Sequence, residues 1–269
     1  MKLEDLQIIC ISLAKRPDRW ARIEREAGVA TIPIQRMEAV DASTFVPYKH
    51  PAISLATAHN IYFKTRRSVY EIDAGGAVGC SLSHFKAWEQ LLNSSAPAML
   101  VFEDDCTIPV DLRIRLEHML KAVPADWDLI QLHRSYRTGC KPIEGDTPWQ
   151  LCTSLMGTHA YIVSRRGAER LLKRAYPIEL HVDAYMAYMA RLEHVRMLWH
   201  PIIDIKQRGA LSDIEHGNAR ICSVPTNMDD RDMVALSVST IVGTMVIAGA
   251  AGCLIGMGIR KGRGLPQLK

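Results

Sequence analysis

Short apolar segments alternate with helical patterns along most of this 269-residue chain, and that alternation restricts its fold more than any other feature. Runs rich in isoleucine, valine and leucine predict six strands, at residues 7–13, 32–39, 98–103, 128–133, 158–163 and 195–199. Helical patterns predict five helices, at residues 17–27, 81–92, 111–122, 165–175 and 182–192. Alternating strands and helices predict an α/β layer fold with its site at the carboxyl ends of the strands.

Two segments add local detail to this prediction. Ser164 stands immediately before the fourth predicted helix, where its hydroxyl is expected to accept a hydrogen bond from a free backbone N–H. Residues 42–73 are harder to place, and we predict that they form loops over the site.

Charge and cysteine content exclude several function classes. The 33 Lys and Arg residues outnumber the 29 Asp and Glu only slightly and are scattered, so nucleic acid is not an expected partner. The seven cysteines form neither a C-x-x-C pair nor a Cys/His cluster at zinc spacing. We therefore expect reduced thiols, with no disulfide framework and no structural zinc.

The C-terminal region differs from the rest, because residues 233–259 contain no charged side chain and are long enough to span a membrane. We predict a catalytic domain over residues 1–220, a linker over 221–232, a transmembrane helix over 233–259 and a basic tail over 260–269. Gly252 and Gly256 form a small-residue stripe on which two such helices could pair, although a glycine-rich span without a partner is the commoner case.

The N-terminus predicts the location of the catalytic domain. The apolar run Ile8 to Leu13 is too short to span a membrane and lacks the basic start of a signal peptide. We expect a single-pass C-terminal anchor with the catalytic domain on the cytosolic face. The basic residues after the span favour the opposite orientation, but the missing signal outweighs them.

Three consecutive carboxylates, Glu103, Asp104 and Asp105, end the apolar strand that begins at Ala98. Their mutual repulsion would be relieved by a divalent cation with hard oxygen ligands, Mg²⁺ or Mn²⁺. Such an ion could bridge the phosphates of a nucleotide sugar and neutralise the departing diphosphate. The alternative is an exposed acidic turn after a buried strand.

Two further segments are candidates for binding phosphate. Residues 75–84 predict a glycine-rich turn that leads into a helix, where backbone N–H groups attract anions. Arg16 and Arg19 flank Pro17 at the start of another predicted helix and could meet a diphosphate. A hydrogen-bonded core role for His84 and a solvated surface role for the two arginines are the alternatives.

Together these segments resemble glycosyltransferase family 25, which includes bacterial lipooligosaccharide galactosyltransferases and collagen-hydroxylysine galactosyltransferases. The resemblance rests on R-P-D-R-W at 16–20, G-x-V-G-C-x-x-S-H at 76–84 and the strand leading into E-D-D. Further matching positions occur at 157–168, at 181–183, at Gln207 and at Ser212 with Ile214, so that the order and spacing of the blocks cover nearly all of residues 7 to 215.

This resemblance implies a GT-A-type nucleotide-diphosphosugar transferase with a Rossmann-like mixed sheet. It implies a UDP-hexose donor, galactose or glucose, with Mn²⁺ (or Mg²⁺) and inversion at the anomeric carbon. The acceptor would be a hydroxyl on a glycan, a lipooligosaccharide or a protein. The implied metal ligands are Asp104 and Asp105, supported by Glu103, and the implied donor-side residues are Arg16, Arg19, Gly79, Ser83 and His84.

An inverting displacement needs a base for the acceptor hydroxyl, and Asp183 is our candidate. A carboxylate at a helix start can instead only stabilise the helix dipole.

Two other functions compete with that of a glycosyltransferase. A haloacid-dehalogenase-type phosphotransferase needs D-x-D-x-T, but this chain has glutamate at the first position, where the nucleophilic aspartate belongs. A membrane-tethered sugar-nucleotide- or glycan-binding protein that has lost turnover is the remaining alternative.

Overall fold

One mixed β-sheet of eight strands runs through residues 1–134 and 137–208, the part of the chain that this computed structural model describes. A separate two-stranded sheet accompanies it. The strands are β1 Leu6–Ser12, β2 Gln35–Glu38, β3 Ala98–Glu103, β4 Cys106–Thr107, β5 Leu129–Gln131, β6 Arg137–Pro142, β7 Gln150–Leu155, β8 Ala160–Ser164, β9 Met197–Trp199 and β10 Lys206–Gln207. The α-helices are α1 Pro17–Val29, α2 Leu55–Phe63, α3 Gly75–Leu92, α4 Leu112–Lys121, α5 Arg165–Leu172 and α6 Val182–Arg191.

The strand order of the large sheet is β2-β1-β3-β8-β5-β9-β7-β6. Strands β1, β2 and β3 are parallel, and so are β5 and β9. Strand β8 runs antiparallel to both of its neighbours, β3 and β5. Because β8 is reversed, its amino end lies beside the carboxyl end of β3, and the N–H of Glu103 donates to the carbonyl of His159 at 3.0 Å.

Both faces of this sheet are buried, which explains why its central strands are nearly continuous apolar runs. On β1, Ile9 and Ile11 face one apolar cluster while Ile8 and Cys10 face the other, as the two-residue period of a strand requires. Helices α3, α5 and α6 cover the first face, and α1 and α4 cover the second. The chain is therefore a mixed α/β fold with a central sheet between two layers of helices.

All six predicted strands and all five predicted helices are confirmed. Most of their boundaries differ from the prediction by a few residues, and α3 begins earlier than predicted. The bounds of β3 agree with the prediction. Ser164 caps α5, since its Oγ accepts from the N–H of Gly167 at 3.0 Å.

Two predictions about the remaining segments are wrong. Within residues 42–73, which were expected to be loops, Leu55–Phe63 forms α2, and the hydroxyl oxygen of Ser54 caps it by accepting from Thr57 N–H. The expectation of unpaired cysteines fails for Cys140 and Cys152, which form a disulfide across the antiparallel pair β6 and β7. Both cysteines occupy opposed positions in the register, so their proximity follows from strand pairing that the spacing of cysteines in the sequence does not reveal.

In the part of the chain that the structure describes, no helix has the length and apolar character needed to cross a membrane. The predicted linker 221–232, transmembrane helix 233–259 and basic tail 260–269 lie outside the described residues. The same holds for Gly252, Gly256, Ser212 and Ile214. The predicted catalytic domain, residues 1–220, is described as far as residue 208.

Candidate active site

A cavity of ≈ 330 Å³ opens where β1 and β3 end, at the edge of the sheet where the sequence predicted the site. Its walls come from the segments that follow β1 and β2, from the amino-terminal half of α3 and from the end of β3. The carboxylates of Glu103, Asp104 and Asp105 line it together with the basic side chains of Lys15, Arg19 and Lys64. Opposite charges therefore face the same space, as a site for a metal and a phosphorylated ligand requires.

Glu103, the last residue of β3, accepts two side-chain hydrogen bonds. The hydroxyl of Thr158 donates to its Oε1 at 2.5 Å, and Nε2 of His84 lies 3.3 Å from the same oxygen. Burial raises the pKa of Glu103, but the hydrogen bonds from His84 and Thr158 outweigh burial, so that its pKa lies below the ordinary value. Glu103 is therefore held as a carboxylate.

His84 belongs to a buried chain of hydrogen bonds that reaches back into the core. Nε1 of Trp88 donates to the hydroxyl oxygen of Tyr161 at 2.9 Å, and that hydroxyl lies 2.9 Å from Nδ1 of His84. Indole can only donate and a carboxylate can only accept. A neutral His84 satisfies every group when the Tyr161 hydroxyl donates to Nδ1 and Nε2–H donates to Glu103.

Asp104 follows in the turn after β3 and is only 7% exposed. Nη1 of Arg19 lies 3.2 Å from its Oδ1. Burial raises the pKa of Asp104 above its ordinary value, as does the negative charge of Glu103, while Arg19 opposes both. Arg22 fixes the same turn from α1, because its guanidinium donates to the carbonyl oxygens of Asp104 and Cys106.

Asp105 has one satisfied and one unsatisfied carboxylate oxygen. Nε2 of Gln207 donates to Oδ2 at 2.8 Å, whereas Oδ1 is buried and has no hydrogen-bond partner among the described residues. Burial, followed by the charge of Glu103, raises the pKa of Asp105 to about 6. A buried oxygen without a donor, beside two further carboxylates, is the arrangement that a hard divalent cation would satisfy, so Asp104 and Asp105 fit the predicted metal.

The two predicted arginines are placed differently. Arg19 lines the cavity. Arg16 is not among the lining residues, and its guanidinium contacts the exposed carboxylate of Asp18 at 2.8 Å. The neighbouring Lys15 lines the cavity instead, and its Nζ lies 2.9 Å from Asp41. Lys64, at the end of α2, lines it as well.

The predicted glycine-rich turn is wrong, because α3 already begins at Gly75 and Gly79 is helical, while Ser83 and His84 lie in the helix as predicted. Gly79 allows close packing: a Cβ there would lie 2.6 Å from the carbonyl oxygen of Val40. The hydroxyl of Ser83 accepts from the N–H of Val40 at 2.8 Å and donates to the carbonyl of Gly79 at 2.7 Å. Gly79 and Ser83 thus pack and hydrogen-bond the segment after β2 against α3. Ser83 and His84 also line the cavity.

Asp183 is the second residue of α6 and is not among the residues that line the cavity. Its Oδ2 accepts from the N–H of Gly157 at 3.0 Å, and its Oδ1 accepts from the N–H of Ala184 at 2.7 Å. Gly157 has a φ of 107° and directly precedes Thr158. Asp183 therefore fixes Gly157 in the connection before β8, and the following residue, Thr158, donates to Glu103.

Besides Lys15 and Lys64, the sequence analysis did not identify three further residues of the site: Thr158, Tyr161 and Trp88. Thr158 and Tyr161 lie far from Glu103 in sequence and reach the site only because β8 pairs with β3. Trp88 did carry a signal, since His84 and Trp88 are four residues apart and share one face of a helix.

The family model described as Glycosyltransferase family 25 (LPS biosynthesis protein) matches residues 5–186. The probable inactive glycosyltransferase 25 family member 3 of Rattus norvegicus is 30% identical over 192 residues, which cover 68% of this chain and 32% of that protein. Procollagen galactosyltransferase 1 of Danio rerio is 27% identical over 201 residues, covering 68% of this chain and 31% of that protein.

This chain thus spans about a third of the length of the curated relatives it matches. Among solved structures, a glycosyltransferase involved in the glycosylation of the major capsid of PBCV-1 aligns with a TM-score of 0.30 and 9% identity. That alignment covers 62% of this chain and 65% of the other.

Proposed function

The chain belongs to glycosyltransferase family 25, and from that premise we propose that it transfers a hexose, galactose or glucose, from a UDP-sugar to an acceptor hydroxyl. The proposed reaction depends on a divalent metal and inverts the anomeric carbon, on a GT-A-type fold. The acceptor is a glycan, a lipooligosaccharide or a protein.

One observation supports this proposal most directly. Asp105, with its unsatisfied carboxylate oxygen, and Asp104 line a cavity that basic side chains also line. A Mn²⁺ or Mg²⁺ ion held by Asp104 and Asp105 would supply charge neutralisation for the departing diphosphate. Arg19, Lys15 and Lys64 would attract the phosphates electrostatically. Arg16, on the neighbouring surface, is proposed to extend this positive region.

Glu103 is proposed to support the metal ligands, because its carboxylate is kept ionised by His84 and Thr158. Gly79 and Ser83 are proposed to act on the donor side indirectly, by fixing residues 40–42 at the cavity wall.

Asp183 remains our proposed base for the acceptor hydroxyl, and its contact with Gly157 supports an alternative role in positioning Thr158. In an Asp183→Asn variant, loss of turnover with unchanged melting temperature and UDP affinity supports the base. A fall in melting temperature together with a fall in turnover supports the positioning role.

The central test is a donor screen with the full-length protein that measures release of UDP from UDP-galactose and UDP-glucose. We expect turnover with Mn²⁺, none with a chelator, and loss of turnover in Asp105→Asn. Asp146→Asn, which changes an exposed aspartate, is the matched control and should retain the wild-type rate. Turnover that persists in the presence of chelator would refute the metal assignment.

A second candidate function is binding of a sugar nucleotide or glycan without turnover. It is favoured by the names of some relatives, such as that of the Rattus norvegicus protein, which is called probably inactive. It would be supported by metal-dependent UDP binding in calorimetry together with no UDP release from any donor.

We further propose that residues 233–259 anchor the protein in a membrane, with the catalytic domain on the cytosolic face and with pairing through Gly252 and Gly256. The uncharged run supports this proposal. Protease protection in sealed membrane vesicles tests the orientation, and crosslinking of wild-type protein against Gly256→Leu tests the pairing.

A further inference from the structure

Three side chains of different chemistry converge at the inner wall of the cavity. The Sγ of Cys80, a ring nitrogen of His84 and a carboxylate oxygen of Glu103 all lie within 4.8 Å of one another. Cys80 and His84 are four residues apart on α3 and so project from the same face of the helix. Glu103 meets them from the end of β3. This convergence is formed by two rigid elements rather than by a loop.

The separation of His84 and Glu103 suits a small tetrahedral cation. Nε2 of His84 lies 3.3 Å from Oε1 of Glu103. Zinc binds nitrogen and oxygen ligands at about 2.0–2.2 Å, so two such ligands at a tetrahedral angle lie about 3.4 Å apart. A zinc ion can therefore take the place of the hydrogen bond between His84 and Glu103 with little movement of either group.

The surroundings already hold both of these groups in place. With Nε2 on a metal, Nδ1–H of His84 would donate to the hydroxyl oxygen of Tyr161, which lies 2.9 Å away. Thr158 holds the Glu103 carboxylate from the other side. Partners of this kind orient metal ligands and are common around histidine-bound zinc.

The three donors also discriminate between metals. A thiolate with an imidazole and a carboxylate favours Zn²⁺ over Mg²⁺ or Mn²⁺, which prefer oxygen ligands alone. Cys80, His84 and Glu103 all line the cavity, so a fourth coordination position would face its interior. The negative charges of Glu103, Asp183 and Asp105 act on Cys80 and favour any cation here.

We propose that Cys80, His84 and Glu103 form a second metal site that binds Zn²⁺ or another thiophilic divalent cation. Its ligands differ from Asp104 and Asp105, and the proposal of this site does not depend on whether the chain transfers sugars. The zinc would occupy the wall of the cavity and bind the carboxylate that otherwise faces His84.

The test measures metal binding directly, on full-length protein in which Cys222 and Cys253 are replaced by serine. Among the described residues the other free thiols are those of Cys10 and Cys106, both buried in the core. Zinc affinity is measured by competition with a chromophoric chelator. Cadmium is then added as a probe, because a cadmium–thiolate bond gives a charge-transfer absorption in the ultraviolet.

We expect one zinc per chain and a cadmium–thiolate absorption. Cys80→Ser should remove the absorption and weaken zinc binding by more than about 100-fold, since loss of an orienting partner alone costs about 10–100-fold. His84→Asn should weaken binding similarly, while His118→Asn, a change at an exposed histidine of α4, should have no effect. Asp105→Asn should retain the absorption.

Wild-type zinc affinity in Cys80→Ser, or loss of the absorption in Asp105→Asn but not in Cys80→Ser, overturns the site. If His84→Asn does not fold, Tyr161→Phe replaces it, with an expected loss of zinc affinity of about 10-fold or more. Unchanged zinc affinity in that variant also counts against the site.

Discussion

At the scale of single residues, Asp105 is ionised in an environment that opposes its charge. Its pKa is raised to about 6 from an ordinary value of 3.8, first by burial and then by the charge of Glu103. A raised pKa means that the folded state binds a proton more tightly than the unfolded state does. Stability from this group is therefore fully present below pH 4 and is lost as the pH rises through about 6.

Asp105→Asn removes this charge, and we predict that it stabilises the metal-free protein at pH 7.5. The shift of about two pKa units corresponds to a gain on the order of 2 kcal/mol after allowance for solvent screening. The gain should shrink to about zero near pH 4, where the wild-type carboxyl is already protonated. Urea unfolding at the two pH values, in the presence of chelator, measures it.

Asp146→Asn serves as the control and should change stability by less than about 0.5 kcal/mol at both pH values, because its side chain is exposed. An Asp105→Asn variant that is less stable than wild type at pH 7.5 would contradict the raised pKa.

The candidate site shows which residues the sequence can identify. Glu103, Asp104 and Asp105 are adjacent in sequence and end an apolar strand, so their clustering is local and visible. Thr158 and Tyr161 reach Glu103 and His84 only through the pairing of β8 with β3. Such contacts depend on strand order, which neither composition nor spacing encodes in a single sequence.

At the scale of elements, the packing of α3 against the segment after β2 depends on one glycine. A Cβ at Gly79 would lie 2.6 Å from the carbonyl oxygen of Val40, closer than real Cβ contacts, and the obstacle is backbone rather than a flexible side chain. We predict that Gly79→Ala destabilises the protein by about 2–3 kcal/mol, which is typical of overpacking. Thermal unfolding measures the loss.

The matched control for this substitution is Gly28→Ala in α1, where an added Cβ would meet nothing within 4 Å. Alanine is the better helix former there, so this variant should be as stable as wild type or up to about 1 kcal/mol more stable. Equal melting temperatures for the two variants would show that α3 does not depend on this close approach.

The same close packing explains why the start of α3 was predicted too late in the chain. Glycine is a poor helix former, so residues 75–79 were expected to form a turn. In the structure Gly75 and Gly79 are helical, and a Cβ at Gly75 would lie 2.5 Å from Pro47. Their packing partners come from a distant part of the chain. By contrast, β3 was predicted correctly because a strand with both faces buried is apolar throughout.

At the scale of the whole molecule, binding of a ligand to the folded state alone should raise the melting temperature. We predict that UDP and Mn²⁺ together stabilise the full-length protein, by about 2.7 kcal/mol at a hundred times the dissociation constant. For a domain of this size that gain corresponds to roughly 5–10 °C. Differential scanning fluorimetry with each ligand alone, with both and with chelator measures the effect.

UDP alone should raise the melting temperature by less, because without an intervening cation its phosphates would be repelled by the carboxylates of Asp104 and Asp105. Asp105→Asn should lose the part of the shift that requires Mn²⁺. An equal shift in the presence of chelator would count against metal-bridged binding of the nucleotide.

The reversal of β8 has a consequence for redesign of this protein. In a sheet of parallel strands, loops that are designed to reach a cavity at the carboxyl ends of the strands are inserted after the strands. Here the connection over residues 156–159 precedes its strand, and Gly157 and Thr158 already contact Asp183 and Glu103. An inserted loop at this connection would emerge beside Glu103, at the carboxyl end of β3, whereas one placed after Ser164 would emerge at the opposite edge of the sheet.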